Sequence, residues 1–177
     1  GYYASDAFYD ACDRRGLLVW QDFGFACQAY PFFLPEFLEN VKTEVHAQVQ
    51  RLCHHPSLAV WCGNNEIEDM HMAWVHMQKY VQWTEKFFYE ILEPEIRAED
   101  PDTPYTPGSP VGIAHNEGVY SDNVGDTHLW GVWHGAFSIL EDCGALPVQR
   151  IGHEAARKLL RRAYESGINY FDTANMY

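Results

Sequence analysis

The segment His55-Pro-Ser-Leu-Ala-Val-Trp-Cys-Gly-Asn-Asn-Glu66 contains a short apolar run between a proline and a glycine. The run, residues 58–62, is rich in strand-forming residues and is typical of a buried strand in a parallel sheet. A strand that leads directly into Gly-Asn-Asn-Glu brings two amides and a carboxyl group to its C-terminal end, where α/β barrels assemble their active sites. The segment therefore predicts a buried parallel strand and makes Glu66 the main catalytic candidate.

A second apolar segment, residues 17–23, has the same design because it ends in the polar pair Gln21 and Asp22. Between the two segments, a helix is predicted from Pro35 to about residue 53. Its apolar residues recur at the spacing of one buried helical stripe: Phe37, Leu38, Val41, Val45, Val49 and Leu52. Strand, helix and strand form a βαβ unit, so we expect parallel neighbouring strands with Asp22 and Glu66 at one rim.

Two further helices are predicted, at residues 6–15 and 69–92. The first has Ser5 as its N-cap and Gly16 at its C-terminal end. The inner face of this helix is expected to consist of Ala7, Phe8, Ala11 and Cys12. The second carries a stripe of methionine and aromatic side chains and is expected to end before Pro94. Such a stripe is typical of packing on a core, and a ligand-binding surface is the alternative interpretation.

The composition indicates a globular domain, because 47% hydrophobic and 15% aromatic residues are too many for a disordered chain. A net charge of -13 without any basic cluster argues against a nucleic-acid partner, which is bound by neutralising phosphates. No apolar run approaches the ~20 residues of a membrane span, and the first residues do not resemble a signal peptide. We expect a soluble protein without a membrane partner, and the sequence leaves its compartment unknown.

The cysteines and histidines raise the question of disulfides or a metal. The five cysteines have no disulfide-framework spacing, so reduced thiols are expected. Cys53, His54 and His55 are adjacent, which makes a metal site one interpretation. Adjacent residues at a helix end point apart, and neither Cys-x-x-Cys nor His-x-x-x-His accompanies them, so ordinary helix-end packing is favoured. We expect no metal and no cofactor.

The segment Gly125-Asp-Thr-His-Leu-Trp-Gly-Val-Trp-His-Gly135 is dense in aromatic rings and hydrogen-bonding groups. This mixture suits a sugar, whose apolar ring faces stack on tryptophan while its hydroxyls need polar partners. A surface loop held by two buried tryptophans accounts for the same pattern equally well.

Five stretches, in this order, closely resemble the catalytic barrel of the β-mannosidases of glycoside hydrolase family 2. They are Tyr3-Ala-Ser-Asp-Ala-Phe-Tyr-Asp-Ala-Cys-Asp13, Leu18-Val-Trp-Gln-Asp-Phe-Gly-Phe-Ala-Cys27, Phe37-Leu-Glu-Asn-Val41, and the segments 55–66 and 125–135 quoted above. The resemblance covers residues 1–135 and implies part of a (β/α)8 TIM barrel that hydrolyses terminal β-D-mannosyl residues. It implies that Glu66, at the end of the fourth strand, is the general acid/base. It further implies substrate-binding roles for Asn65, Asp22, His128, Trp130 and Trp133.

A retaining glycosidase needs two carboxyl groups, and the resemblance assigns only the acid/base, Glu66, within this chain. The family's nucleophilic glutamate lies in a Ser-Glu-Phe-Gly type of stretch after the Trp-His-Gly motif, and nothing similar follows Gly135. We therefore expect a truncated glycosidase that does not turn over by itself. With only part of a barrel present, exposed sheet edges are expected to promote self-association.

From about residue 144 the chain resembles the N-terminal part of an aldo-keto reductase, with a helix near 154–165. The last six residues, Asp172-Thr-Ala-Asn-Met-Tyr177, match that family's active-site motif. The resemblance implies that Asp172 and Tyr177 are two catalytic positions, with Tyr177 as the proton donor to a carbonyl. The lysine, the histidine and the nicotinamide-binding part of that family have no counterpart in the segment.

The distribution of charge predicts where the two segments join. Acidic and basic residues are equal in number from 136 to 177, so residues 1–135 carry the whole net charge. We place the junction at residues 136–143 and interpret the chain as a chimera of a β-mannosidase-like fragment and a reductase-like tail. An aldo-keto reductase fragment and a non-catalytic carbohydrate-binding remnant remain the alternative hypotheses.

Overall fold

The computed structural model describes residues 2–73, 75–111 and 125–128, together with six residues between 154 and 165. The chain divides into two compact units, Gly1–His128 and Leu129–Tyr177. In the second unit the six described residues are helical and exposed: Glu154, Arg157, Lys158, Arg161, Arg162 and Glu165. Their conformation agrees with the helix predicted there. The predicted junction at 136–143 lies outside the described residues.

The first unit alternates strands and helices. It begins with α1 (Asp6–Arg15), β1 (Val19–Asp22), α2 (Pro35–Leu52) and β2 (Leu58–Cys62). A series of helical segments then leads to the third strand: α3 (Ile67–Ala73), a 3-10 helix (Val75–Tyr80), α4 (Val81–Glu85), a π-helix (Lys86–Ile91), α5 (Leu92–Glu99) and β3 (Tyr105–Thr106). None of the helices in the described residues is long and apolar enough to cross a bilayer.

The three strands form a parallel sheet in the order β1-β2-β3. Asp22 pairs with Cys62 and Val19 with Leu58, with a register shift just after Val19. The predicted parallel neighbours are therefore confirmed. The arrangement is a small α/β sheet, and the closed eight-stranded barrel remains a prediction.

The main core lies between one face of this sheet and the helices. Phe23 stacks on Trp61 with 5.2 Å between ring centroids, and the Trp61 indole N–H donates to Asp100 Oδ2 at 2.9 Å. The predicted stripe of α2 is confirmed, because its buried residues are Val41, Val45, Val49 and Leu52. The stripe after β2 is also core, with buried Met77, Phe87, Phe88 and Leu92.

The other face of β1 is open. Side chains alternate along a strand, so Trp20 and Asp22 lie opposite the buried Val19 and Gln21. Trp20 is 43% exposed, and Leu18, just before the strand, is 79% exposed. Large apolar side chains therefore project from this sheet face into solvent.

The predicted inner face of α1 is wrong in part. Ala7 and Phe8 are exposed, whereas Tyr9 is fully buried. The Tyr9 hydroxyl donates to the buried Gln21 Oε1, so its polar end is satisfied within the core. Gly16 ends the helix in the left-handed conformation as predicted, but the Ser5 side chain makes no capping hydrogen bond.

The amphipathic segment predicted over residues 69–92 is helical where the structure describes it, but its predicted end before Pro94 is wrong. The segment contains α, 3-10 and π turns in succession, and the helical path continues to Glu99. Pro94 does not end it, because this proline lies in the first turn of α5, directly after the π-helical turn. The missing N–H of a proline costs least in a first turn, and π turns change the hydrogen-bonding pattern locally.

Candidate active site

The loops that follow the three strands are joined side by side beyond the C-terminal ends of the strands. Asn65 forms parallel bridges with Ala26 on one side and with Ser109 on the other. The Cys27 N–H donates to the Asn65 carbonyl at 2.9 Å, and the Glu66 N–H donates to the Ser109 carbonyl at 2.7 Å. One residue from each loop is thereby fixed at a common rim.

Gly63 and Asn64 shape the turn that leads from β2 to this rim. A Cβ atom on Gly63 would lie 2.2 Å from the Pro107 carbonyl oxygen, so only glycine fits there. The buried Asn64 side chain donates to that same carbonyl at 2.8 Å and accepts the Ile67 N–H at 3.1 Å. Asn64 thus satisfies a donor at the start of α3 while it holds the third loop.

Glu66 is the buried carboxyl group at the centre of the rim, with 7% of its surface exposed. Its φ of 58° lies in the left-handed region, which non-glycine residues rarely adopt and which costs about 1–2 kcal/mol. Such strain at a polar residue persists only where surrounding contacts enforce it, and it is concentrated at functional sites. The backbone bond to Ser109 and the side-chain contacts described next hold Glu66 in this conformation.

His128 bonds to Glu66 and lies between two carboxylates. Its Nδ1 lies 2.7 Å from Glu66 Oε1, and its Nε2 lies 2.8 Å from Ser109 Oγ and 3.5 Å from Asp126 Oδ2. Ser109 Oγ in turn donates to Asp126 Oδ2 at 2.5 Å. The network thus runs from Glu66 through His128 to Asp126 and Ser109.

The network favours a protonated imidazole. Burial by itself lowers the pKa of His128, but the hydrogen bonds to Asp126 and Glu66 and their charges outweigh burial and raise the pKa to about 9. Burial opposes ionisation of Asp126, yet the hydrogen bonds from His128 and Ser109 lower its pKa. At neutral pH an imidazolium therefore holds a proton next to the Glu66 carboxyl group.

The Cys27 thiol touches both residues of the Asn-Glu pair. Asn65 Nδ2 donates to Cys27 Sγ at 3.4 Å, and the thiol donates to Glu66 Oε2 at 3.5 Å. Burial, followed by the charge of Glu66, raises the pKa of this thiol. The thiol is therefore protonated at neutral pH, as its donor role requires.

The other predicted site residues have different surroundings. Asp22 ends β1 opposite Cys62 and accepts a hydrogen bond from the Trp20 indole at 2.9 Å. Near Glu66 in sequence, the buried Glu68 accepts a hydrogen bond from the Tyr89 hydroxyl. The remaining predicted site residues lie outside the described part of the chain: Trp130, Trp133, Asp172 and Tyr177.

Three residues of the site were not selected from the sequence: Cys27, Ser109 and Asp126. Cys27 closes one of the resembling stretches, and Asp126 stands two positions before His128 in the quoted Trp-rich segment. Each therefore had a sequence signal. Ser109 had none beyond its place in a proline-rich turn.

Within the described residues, one group could offer three ligand atoms to a metal: Asp10, Asp13 and His55 lie within 4.8 Å of one another. Asp13 already bonds to His55 Nδ1 at 2.6 Å and accepts the Ser57 N–H at 2.9 Å. The hydrogen bonds from Ser57 and His55 lower the Asp13 pKa to about 2. This geometry ties α1 to the turn before β2, which is a packing role.

No protein-family model matches this chain. The chain is 42% identical over 146 residues to beta-mannosidase B of Thermothelomyces thermophilus, covering 76% of this chain and 17% of that protein. It is 40% identical over 169 residues to beta-mannosidase B of Aspergillus clavatus, covering 88% of this chain and 20% of that protein.

A comparison with solved structures also finds a β-mannosidase. The beta-D-mannosidase of Dictyoglomus thermophilum superimposes with a TM-score of 0.69 at 39% identity, over 78% of this chain and 17% of that one. This chain is similar to a segment of β-mannosidases. It spans about a fifth of the length of the curated relatives it matches.

Proposed function

We propose that this chain is the part of a family 2 β-mannosidase that carries the general acid/base, Glu66. The reaction is the hydrolysis of terminal β-D-mannosyl residues with retention of configuration. The observation that carries the proposal is the buried Glu66 carboxyl group, bonded to His128 at the C-terminal end of a parallel strand. The segment around it is similar to β-mannosidases at about 40% identity, which supports the choice of substrate class.

In retaining hydrolysis one carboxyl group protonates the leaving oxygen, and a second, about 5 Å away, attacks the anomeric carbon. We assign the first role to Glu66. After the leaving group departs, the Glu66 carboxylate accepts a proton from the water that hydrolyses the glycosyl-enzyme. The hydrogen bond between His128 Nδ1 and Glu66 Oε1, at 2.7 Å, orients the carboxyl group for the proton transfers of each cycle.

For substrate binding we propose Asn65, Asp22 and His128, together with Trp130 and Trp133 beyond the described residues. The Asn65 side chain is held by the Cys27 thiol. An amide offers both a donor and an acceptor to sugar hydroxyls, and tryptophan rings offer apolar faces to the sugar ring. We assign the nucleophile to neither Asp22 nor Glu68. The Asp22 carboxylate accepts a hydrogen bond from Trp20, and the Glu68 carboxylate accepts one from Tyr89.

A hybrid enzyme tests this function. Residues 1–135 of this chain replace the aligned segment of the Dictyoglomus thermophilum β-mannosidase, which supplies the remaining strands. We expect hydrolysis of aryl β-mannosides by the hybrid and its loss on Glu66→Gln. The free 177-residue chain should not hydrolyse them. Equal hydrolysis by the hybrid and its Glu66→Gln variant would overturn the proposal.

Two other results of the same experiment would change the assignment. Hydrolysis by the free chain that vanishes on Glu66→Gln would mean that another carboxyl group of this chain acts as the nucleophile. A hybrid that binds mannose without hydrolysis, in calorimetry, would favour the carbohydrate-binding remnant.

As a second candidate we propose a reductase-like tail in residues 144–177. It rests on the resemblance of the Asp172 to Tyr177 motif, and the helical residues between Glu154 and Glu165 are compatible with it. Carbonyl reduction would require a nicotinamide nucleotide bound beside Tyr177. Fluorescence titration of the chain with reduced nicotinamide nucleotide tests this candidate. Binding that Tyr177→Phe alters would support it, and no binding would contradict it.

A further inference from the structure

We propose that Cys27 is a positioning residue of the active site, because its thiol links the side chains of Asn65 and Glu66. The thiol sulfur accepts a hydrogen bond from Asn65 Nδ2 at 3.4 Å and the S–H donates to Glu66 Oε2 at 3.5 Å. The contact itself is a property of the folded chain. Its consequence for catalysis rests on the function proposed above.

The backbone at Cys27 is strained. The φ of Cys27 is 50°, in the left-handed region where glycine is favoured and a side chain is strained. Two neighbours hold the turn: the Cys27 N–H donates to the Asn65 carbonyl, and the Ala26 N–H donates to the Tyr30 hydroxyl at 2.9 Å. A glycine would remove the strain, but it would also remove the thiol between Asn65 and Glu66.

Cys27 and His128 bond to different oxygens of Glu66. His128 Nδ1 contacts Oε1, whereas the Cys27 thiol contacts Oε2. Two donors on two oxygens restrict rotation of the carboxyl group about its last bond. Because proton delivery to a leaving group depends on such orientation, removal of one donor affects the chemical step.

The contact is tested in the full chain by the pH dependence of Cys27 alkylation. Iodoacetamide reacts with the thiolate, and cleavage after Arg15 and Lys42 yields a peptide whose one cysteine is Cys27. In Glu66→Gln the negative charge next to the thiol is lost, so the alkylation midpoint should shift to lower pH. Glu36→Gln, the same charge change at an exposed position of α2, is the control and should leave the midpoint unchanged.

Equal alkylation midpoints in the wild type, Glu66→Gln and Glu36→Gln, with unchanged circular dichroism spectra, would overturn the proposal. If Glu66→Gln fails to fold, Cys27→Ser and Cys27→Ala provide the test in the hybrid enzyme. We expect kcat to fall about fivefold in Cys27→Ala with a smaller change in KM, and Cys27→Ser to recover part of the loss. An unchanged pH profile of kcat in Cys27→Ala would also contradict the positioning role.

These results separate the two proposals. A midpoint that responds to Glu66→Gln while the hybrid retains hydrolysis without Glu66 would leave the contact standing and remove the proposed function. A hybrid whose hydrolysis depends on Glu66 but is unchanged by Cys27→Ala would support the proposed function and remove the positioning role of Cys27.

Discussion

His128 Nδ1 and Glu66 Oε1 lie 2.7 Å apart, although the two residues are 62 positions apart in the chain. The contact joins the loop after β2 to the segment that begins at Gly125. It places an ionisable ring beside the carboxyl group to which we assign the acid/base role. The properties of the site should therefore depend on the protonation of His128.

Stability should decrease at alkaline pH because of His128. Its folded-state pKa of about 9 is above the value near 6.5 of an unfolded histidine. The imidazolium therefore contributes stability that is fully present below about pH 6.5 and is lost as the pH rises through about 9. Urea denaturation across this range should show the decrease in the wild type.

The His128→Gln variant should show a flatter dependence over the same pH range. His54→Gln, at an exposed histidine, should keep the wild-type slope and serves as the control. A His128→Gln curve parallel to the wild type would contradict the assigned pairing with Glu66 and Asp126.

Gly63→Ala should be strongly destabilising, because the new methyl group would collide with the Pro107 carbonyl oxygen. We expect a loss of about 3 kcal/mol in the free energy of unfolding from this steric conflict. Gly16→Ala is the matched control, because nothing lies within 4 Å of its added Cβ and only the left-handed φ of 64° is strained. That variant should lose about 1 kcal/mol. Chemical denaturation that ranks the two in the opposite order would contradict the packing at the turn.

The open face of β1 should make the chain self-associate. Leu18 and Trp20 project from that face with 79% and 43% of their surfaces exposed. Sedimentation at increasing concentration should show larger species, and Leu18→Lys should shift them toward the monomer. Leu34→Lys, at an exposed leucine before α2, should not. A wild-type chain that stays monomeric at every concentration would refute this prediction.

Local signals in the sequence were sufficient for most of the fold. Proline and glycine marked the bounds of β2, and the apolar spacing of α2 required only neighbours within the same helix. The parallel pairing of β1 with β2 followed from chain connectivity. The failures involved nonlocal contacts: Tyr9 lies in the core while Phe8 is exposed, and the Tyr9 hydroxyl is satisfied there by Gln21 on another element.

The site was predictable only in part for the same reason. Glu66 was selected as a candidate because it lies just after a predicted buried strand. His128 was selected from the family resemblance. Ser109 enters the site through its backbone bridge to Asn65, and Cys27 follows Ala26, which forms the other bridge to Asn65. The pairing of such bridges has no local sequence pattern. The roles assigned to Glu66, His128, Asn65 and Asp22 remain predictions.

The leaving-group dependence of Glu66→Gln tests the central claim most directly. The hybrid enzyme and its Glu66→Gln variant are compared in the glycosylation step on a β-mannoside with a poor leaving group and on one with an activated aryl leaving group. The poor leaving group needs protonation, so its rate should fall by several orders of magnitude, whereas the activated substrate should lose far less. Glu68→Gln, a variant of the glutamate two residues after Glu66, is the control and should leave the leaving-group dependence of the rate unchanged. Equal losses on both substrates in Glu66→Gln would show that Glu66 is not the acid.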